Sequence, residues 1–187
     1  MWLFFFYMKI AISGNAGTGK STLAKKLAKK LGYNYHGMGN IQRKIAKQHG
    51  LTIVELGELE KTDPSIDNEI DEMQKKIGET KDNFVIDSWL SAHFIPDAYK
   101  IFLYGDIEER AKRIYKSSRK REVEKYGTLN EAISSIQQRE KTNRERWIKF
   151  YGFDFLDKKN YDFFIDTSGK TPNEVLDLIY NKVNPRL

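Results

Sequence analysis

The chain has 187 residues, of which 40% are apolar and 31% are charged, a composition that suits one folded domain and argues against disorder. The absence of cysteine and the spacing of the three histidines exclude disulfides and zinc sites, and no apolar run is long enough for a membrane span. The net charge of +6 is uneven, because residues 110–149 carry 13 Lys and Arg against 5 Glu.

Apolar runs and helical patterns alternate along the chain. Short apolar runs predict five strands, at Lys9–Ser13, Tyr33–Tyr35, Phe84–Ile86, Ile101–Tyr104 and Tyr161–Ile165. Helical spacing occupies the segments between and after them: Ser21–Leu31, Gly39–His49, Val54–Glu60, Ser65–Ile77, Ile107–Lys116, Leu129–Phe150 and Pro172–Lys182. This order predicts a single α/β domain over residues 1–187, with a five-stranded parallel sheet and helices on both faces.

A phosphate-binding loop is predicted between the first strand and the first helix. The pattern Gly-x-x-x-x-Gly-Lys-Ser/Thr is matched by Gly14, Asn15, Ala16, Gly17, Thr18, Gly19, Lys20, Ser21 and Thr22. Glycines let successive backbone N–H groups face phosphate oxygens, and the helix that follows adds the positive end of its dipole. We therefore expect ATP in this loop, with Lys20 on the β and γ phosphates and Ser21 on Mg²⁺.

Residues 110–149, which we call the basic segment, help to distinguish among classes of nucleotide-binding protein. No guanine-binding signal of the Asn-Lys-x-Asp type is present, which argues against a GTPase, and the small size argues against a motor. Phosphoryl transfer needs cations around the migrating group, and the segment offers arginines at helical spacing and in a loop: Arg110, Arg113, Arg119, Arg121, Arg139 and Arg146. This arrangement favours a helical lid over residues 110–149, although each arginine taken singly is as consistent with a solvated surface charge.

Asp87 is a second candidate for an active-site residue, because it follows a buried strand that we expect to lie beside the phosphate-binding loop. Ligands of open α/β sheets gather at the carboxyl ends of the strands, which favours a role in catalysis or in orienting the acceptor. The alternative is a cap for the next helical segment. Trp89 and His93 are expected to pack rather than to stack on a base.

Taken in order, the motifs of residues 8–182 resemble those of the archaeal-type cytidylate kinases. They are the phosphate-binding loop, Gly39-x-x-x-Arg43, Asp63-Pro64-x-x-Asp67-x-x-Ile70-Asp71, Pro96-Asp97-Ala98, Ile136-x-x-Arg139-Glu140-x-x-x-Arg144-x-Arg146 and Ile165-Asp166-Thr167-Ser168. The resemblance implies a P-loop kinase that uses ATP and Mg²⁺ to phosphorylate CMP or dCMP. The cysteine-free composition favours a cytoplasmic location, and we expect a monomer with small nucleotides as its partners, no stable nucleic-acid partner and no membrane contact.

The same resemblance implies roles for individual residues. Arg43 would bind the acceptor monophosphate, and Asp67 and Asp71 would belong to the substrate site. Arg139 and Arg146 would stabilise the transferring phosphoryl group.

Two departures from the family pattern concern the acceptor side. The family usually has an acidic residue followed by Gly-Arg, whereas this chain has Asp87-Ser88-Trp89, and the usual Ser-Ala-Gly is here Gly37-Met38-Gly39. Two alternatives therefore stay open. One is a P-loop kinase for another small acceptor, and the other is a nucleotide-dependent RNA-binding protein in which the basic segment contacts phosphates.

Overall fold

The computed structural model describes residues 8–63, 65–118 and 124–184, without the side chains of residues 66, 67 and 118. Its sheet consists of five strands: β1 Lys9–Gly14, β2 Asn34–Gly37, β3 Phe84–Asp87, β4 Tyr99–Tyr104 and β5 Phe163–Asp166. The strands lie in the order β2-β3-β1-β4-β5, and every neighbouring pair is parallel. The predicted five-stranded parallel sheet is confirmed.

Eight helices connect or follow the strands in the described part of the chain. They are α1 Lys20–Leu31, α2 Met38–Gln48, α3 Ile53–Leu59, α4 Ser65–Thr80, α5 Ser91–Phe94, α6 Ile107–Ser118, α7 Leu129–Tyr151 and α8 Pro172–Val183. Only α5 lacks a counterpart among the predicted segments. Among the described residues, no helix is both long and apolar enough to cross a lipid bilayer.

The alternating side chains of the strands bury both faces of the sheet. On β1, Ile10 and Ile12 pack with α1 and α8, whereas Ala11 lies in the cluster formed with α2, α3 and α4. A third cluster joins Phe102 of β4 to α6 and α7. Helices therefore cover both faces, as the alternating pattern predicts.

The carboxyl ends of β1, β2 and β3 form one edge of the sheet. Asp87, the last residue of β3, is paired in register with Gly37 of β2 and with Ile12 of β1. The loop that joins β1 to α1 begins at the same edge. The fold therefore places Asp87 beside the phosphate-binding loop.

Candidate active site

The loop from β1 to α1 has the backbone conformation that a phosphate cradle needs. Gly17 adopts φ +81°, in the left-handed region, and a Cβ atom there would lie 2.5 Å from the carbonyl oxygen of Arg110. A side chain at this position would therefore clash with the backbone of α6. Glycine therefore lets the loop pass against α6.

Lys20 lies beneath this loop. Its Nζ donates hydrogen bonds to the carbonyl oxygens of Gly14, at 2.7 Å, and Asn15, at 2.8 Å, and it lies 4.8 Å from the centre of the Trp89 ring. Burial lowers the pKa of Lys20 to about 7, although the Asp87 carboxylate opposes that shift. The Lys20 amino group is therefore held against the backbone of the loop.

Asp87 connects α1 to β2 through its two carboxylate oxygens. Ser21 Oγ donates to Oδ2 at 2.7 Å, and the Tyr35 hydroxyl donates to Oδ1. Burial, reinforced by this bond to Asp87, raises the pKa of the Tyr35 hydroxyl, which keeps it a donor. A Cβ atom on Gly37 would lie 2.1 Å from the Tyr35 hydroxyl oxygen, so this departure from the family pattern makes room for the Tyr35–Asp87 bond.

A cleft with a volume of about 350 Å³ opens above the phosphate-binding loop, within the range typical of small-molecule sites. Glu124 also lines the cleft and is buried between two arginines, at 3.1 Å from Arg139 Nη1 and 3.9 Å from Arg43 Nη1. The Arg139 guanidinium carbon also lies 5.6 Å from the centre of the Trp89 ring. Trp89 therefore has Lys20 and Arg139 as cation–π partners and packs against Trp147.

The first arginine of the basic segment braces the loop instead of facing the cleft. Arg110 is buried, and its Nη1 donates to the Ala16 carbonyl oxygen at 3.0 Å and to Glu140 Oε1 at 2.6 Å. The same Glu140 oxygen accepts the Ala16 N–H at 3.1 Å. Arg113 lines the cleft and donates to the side-chain and backbone oxygens of Thr167.

A smaller cavity of about 40 Å³ adjoins the cleft, and we call it the side cavity. Gly39, Ser88 and Trp89 line both spaces, which makes them the boundary between the two. The other lining residues come mainly from α2, α4 and α7: Met38, Gln42, Ile70, Asp71, Gln74, Leu90, Arg146 and Trp147.

Arg146 lies in the side cavity with a buried partner. Its Nη1 is 2.6 Å from Glu60 Oε2 and 3.1 Å from the Gly57 carbonyl oxygen. Burial raises the pKa of Glu60, although Arg146 opposes that shift. Seven residues separate Arg139 from Arg146, or about 10 Å along the helix, so the two guanidinium groups face different spaces.

The cleft therefore gathers most of the sequence-predicted residues: the loop residues Ala16–Thr22, Arg43, Asp87 and Arg139. Asp71 and Arg146 line the side cavity instead. The Asp67 side chain, Arg119 and Arg121 lie outside the described part of the chain.

Sequence reasoning missed Tyr35 and Glu124, and it expected only packing from Trp89, which also contacts two cations. The carboxylate between Arg43 and Arg139 lies in a loop and has no local pattern that would mark it. His93 packs against Phe94, Tyr151 and Phe153, as expected.

Replacing Arg146 by methionine is expected to lower the free energy of unfolding by about 3–5 kcal/mol, because Glu60 would keep a buried charge without its guanidinium partner. Urea denaturation measures this loss. The matched control is Arg144→Met on the same helix, whose pair with Asp154 is exposed and whose loss should cost about 1 kcal/mol or less.

A second change separates the buried charge from lost packing. Adding Glu60→Leu to Arg146→Met removes both charges, so most of the stability should return. If Arg146→Met and Arg144→Met lowered the free energy of unfolding equally, the buried Arg146–Glu60 pair would not have the stabilising effect expected of it.

Comparisons with known proteins show the family of the chain. The model of the family described as "Cytidylate kinase-like family" matches residues 9–169. A cytidylate kinase from Sulfolobus acidocaldarius is 39% identical over 95% of this chain and 94% of its own length.

A second relative is much longer than this chain. An S-adenosylmethionine-dependent nucleotide dehydratase from Lacinutrix mariniflava is 42% identical over 94% of this chain, which spans only 36% of that protein. Among solved structures, a shikimate kinase from Bacteroides thetaiotaomicron superposes with a TM-score of 0.63 at 16% identity, over 95% of this chain and 98% of that one. This likeness concerns the P-loop kinase fold.

Proposed function

Because the chain belongs to the cytidylate kinase-like family, we propose that it transfers the terminal phosphoryl group of ATP to a nucleoside monophosphate, with CMP or dCMP as the preferred acceptor. One observation carries the proposal: the phosphate-binding loop with Lys20 lines the same cleft as Arg43 and Arg139. A donor polyphosphate and an acceptor phosphate can therefore meet between these cations.

The residues beside the loop suit Mg²⁺. Ser21 and Asp87 offer hard oxygen ligands 2.7 Å apart, and Mg²⁺ is usually held by one or two such groups together with water and substrate phosphates. The described residues contain no cluster of three or more His, Cys, Asp or Glu that would form a complete protein cage, in keeping with that mode of binding. Bound Mg²⁺ would neutralise charge on the β and γ phosphates.

In the proposed reaction, an oxygen of the acceptor phosphate attacks the γ phosphorus of ATP while the bond to the ADP oxygen breaks. The attacking oxygen of the acceptor phosphate is already deprotonated near neutral pH, so the step needs no strong general base. Lys20 would follow negative charge onto the leaving oxygens, and Arg139 would hold the migrating phosphoryl group. Asp87 would position Ser21, to which it is hydrogen-bonded.

The state of the basic segment favours this proposal over RNA binding. All five of its arginines that the structure describes are paired with carboxylates of the protein itself: Arg110 with Glu140, Arg113 with Glu109, Arg139 with Glu124, Arg144 with Asp154 and Arg146 with Glu60. Internal pairing of this kind lowers the number of cations that could contact a nucleic-acid backbone. The names of both relatives concern nucleotides, which supports a nucleotide as the substrate class.

The direct test is ADP release from ATP across a panel of monophosphates: CMP, dCMP, UMP, AMP and GMP. We expect CMP or dCMP to give the highest kcat/KM. Transfer to another small acceptor only, or no monophosphate-dependent ADP release above the intrinsic ATPase rate, would contradict the proposal.

Replacing Arg43 by alanine is expected to raise the acceptor KM about 10- to 100-fold, since a charge-assisted hydrogen bond to a phosphate contributes about 1.5–3 kcal/mol. The ATP KM should change little, because Arg43 belongs to α2 and not to the phosphate-binding loop. Steady-state kinetics with each substrate varied in turn measures both values. Lys44→Ala, at the exposed neighbouring position, is the control. Equal effects on both KM values would refute an acceptor role for Arg43.

A further inference from the structure

Two arginines of the cleft share one carboxylate of the protein. Glu124 Oε1 lies 3.1 Å from Arg139 Nη1, and Glu124 Oε2 lies 3.9 Å from Arg43 Nη1. Glu124 is 3% exposed, and all three residues line the cleft. Each carboxylate oxygen therefore faces a different guanidinium group, in a place that two oxygens of one phosphate could also occupy.

These arginines are the two residues to which the proposed function assigns phosphate groups. Arg43 belongs to α2 and would bind the acceptor phosphate, whereas Arg139 belongs to α7 and would hold the migrating phosphoryl group. Arginine binds carboxylates and phosphates through the same planar fork of N–H donors. Glu124 thus makes the kind of contacts that an acceptor phosphate would need at this place.

Charge decides which anion the arginine pair favours. Glu124 brings one negative charge, whereas a phosphate monoester carries about 1.5 to 2 negative charges near neutral pH and has three terminal oxygens. The carboxylate therefore neutralises only half of the charge on the two guanidinium groups, and a phosphate monoester neutralises nearly all of it. A phosphate can replace the carboxylate, but it must first overcome the attraction between Glu124 and the arginines.

Both arginines also have contacts that do not involve Glu124. Arg43 Nη2 donates to Asn40 Oδ1 at 2.7 Å, and Arg139 Nη2 donates to Gln42 Oε1 at 3.4 Å. These contacts would keep both guanidinium groups at the cleft when the carboxylate gives way to a phosphate.

Building on the proposed function, we propose that Glu124 competes with the acceptor phosphate for Arg43 and Arg139. Binding of the acceptor exchanges the carboxylate for a phosphate, so Glu124 sets the affinity of this step. The exchange also releases Arg139 from its carboxylate partner once the acceptor is in place, which leaves this arginine for the migrating phosphoryl group. Phosphate monoesters are the class of ligand that drives the exchange, and a nucleoside without a phosphate does not.

The test is Glu124→Gln, which keeps the shape of the side chain and removes its charge. Calorimetric titration of CMP, inorganic phosphate and cytidine into the ATP-free protein measures three affinities. We expect Glu124→Gln to bind CMP and inorganic phosphate about 10-fold more tightly, because a charge that opposes the ligand is removed. Cytidine should bind both proteins equally. The matched control is Asp154→Asn, which removes a carboxylate from the exposed pair with Arg144 and should leave all three affinities unchanged.

Urea denaturation gives a second readout, because Glu124→Gln leaves two arginines without their shared carboxylate and is expected to lose stability. Added CMP should raise the free energy of unfolding more in Glu124→Gln than in the unsubstituted protein, since tighter binding to the folded state stabilises it more. Glu124→Asp keeps the charge and shortens the side chain by one methylene group. Its affinity for CMP should lie between those of the other two proteins, and it replaces the glutamine variant if that variant does not fold.

A role of Glu124 in holding the arginines in place predicts the opposite sign, namely weaker binding of CMP in both variants. Weaker or unchanged binding of CMP and inorganic phosphate would therefore overturn the proposal. An equal gain in affinity for cytidine would overturn it too, as would the absence of measurable binding of either phosphate ligand to all of these proteins. The titrations contain no ATP, so they decide the role of Glu124 even if phosphoryl transfer to CMP is not observed.

Discussion

Replacement of Lys20 by alanine is expected to lower kcat about 10²- to 10³-fold, the effect of removing one preorganised donor from a developing charge. The ammonium group is buried and held by two loop carbonyls, so its position is set before the reaction begins. The fold should survive, because alanine removes a buried cation whose pKa shows that burial disfavours its charge.

ADP release at saturating CMP and ATP measures the change, and circular dichroism checks the fold. Lys29→Ala, at an exposed position of the same helix, should keep normal turnover. A folded Lys20→Ala protein with near-normal kcat would exclude Lys20 from the chemical step.

Replacement of Arg139 by alanine is expected to lower kcat about 10³-fold, at the lower end of what an arginine contributes to phosphoryl transfer. Little change is expected in either KM, since the guanidinium would grip the migrating group more strongly in the transition state than in the ground state. Arg139→Lys should retain only part of the normal kcat, because a point charge cannot reproduce two parallel hydrogen bonds.

The control is Arg144→Ala on the same helix, where the arginine is paired with Asp154. RNA affinity and its salt dependence, measured on the same proteins, separate the kinase from a nucleic-acid-binding protein. Unchanged kcat together with weakened RNA binding in Arg139→Ala would overturn the kinase assignment.

Local sequence patterns were sufficient to predict most of the fold. Strand β1, the glycine-rich loop and α1 are consecutive, so their arrangement follows from hydrophobic period and glycine spacing alone. The four-residue helix α5 was missed because it is shorter than the window in which helical periodicity can be recognised. Strand β4 begins at Tyr99, two residues before the predicted start, since Tyr99 pairs with Ile10 of β1.

Fewer contacts of the site than of the fold could be predicted from the sequence, because they join residues far apart in the chain. Arg139 and Arg146 are both arginines of helix α7. Arg139 pairs with Glu124 in the cleft, whereas Arg146, which lines the side cavity, pairs with Glu60. No local pattern distinguishes these partners. Tyr35 likewise contacts Asp87 only because β2 and β3 are neighbours in the sheet.

Helix α7 runs unbroken over 23 residues and contacts both the phosphate-binding loop and Glu60, the residue that follows α3. Glu140 accepts the backbone N–H of Ala16 in the phosphate-binding loop, and Arg146, less than two turns away, pairs with Glu60 just after α3. Under the proposed function, a helix that contacts both the phosphate-binding loop and the residue after α3 would couple the donor site to the acceptor site. A coupling free energy is reciprocal. Under the proposed function, if bound ATP changes the affinity for the acceptor by some factor, bound acceptor must change the affinity for ATP by the same factor.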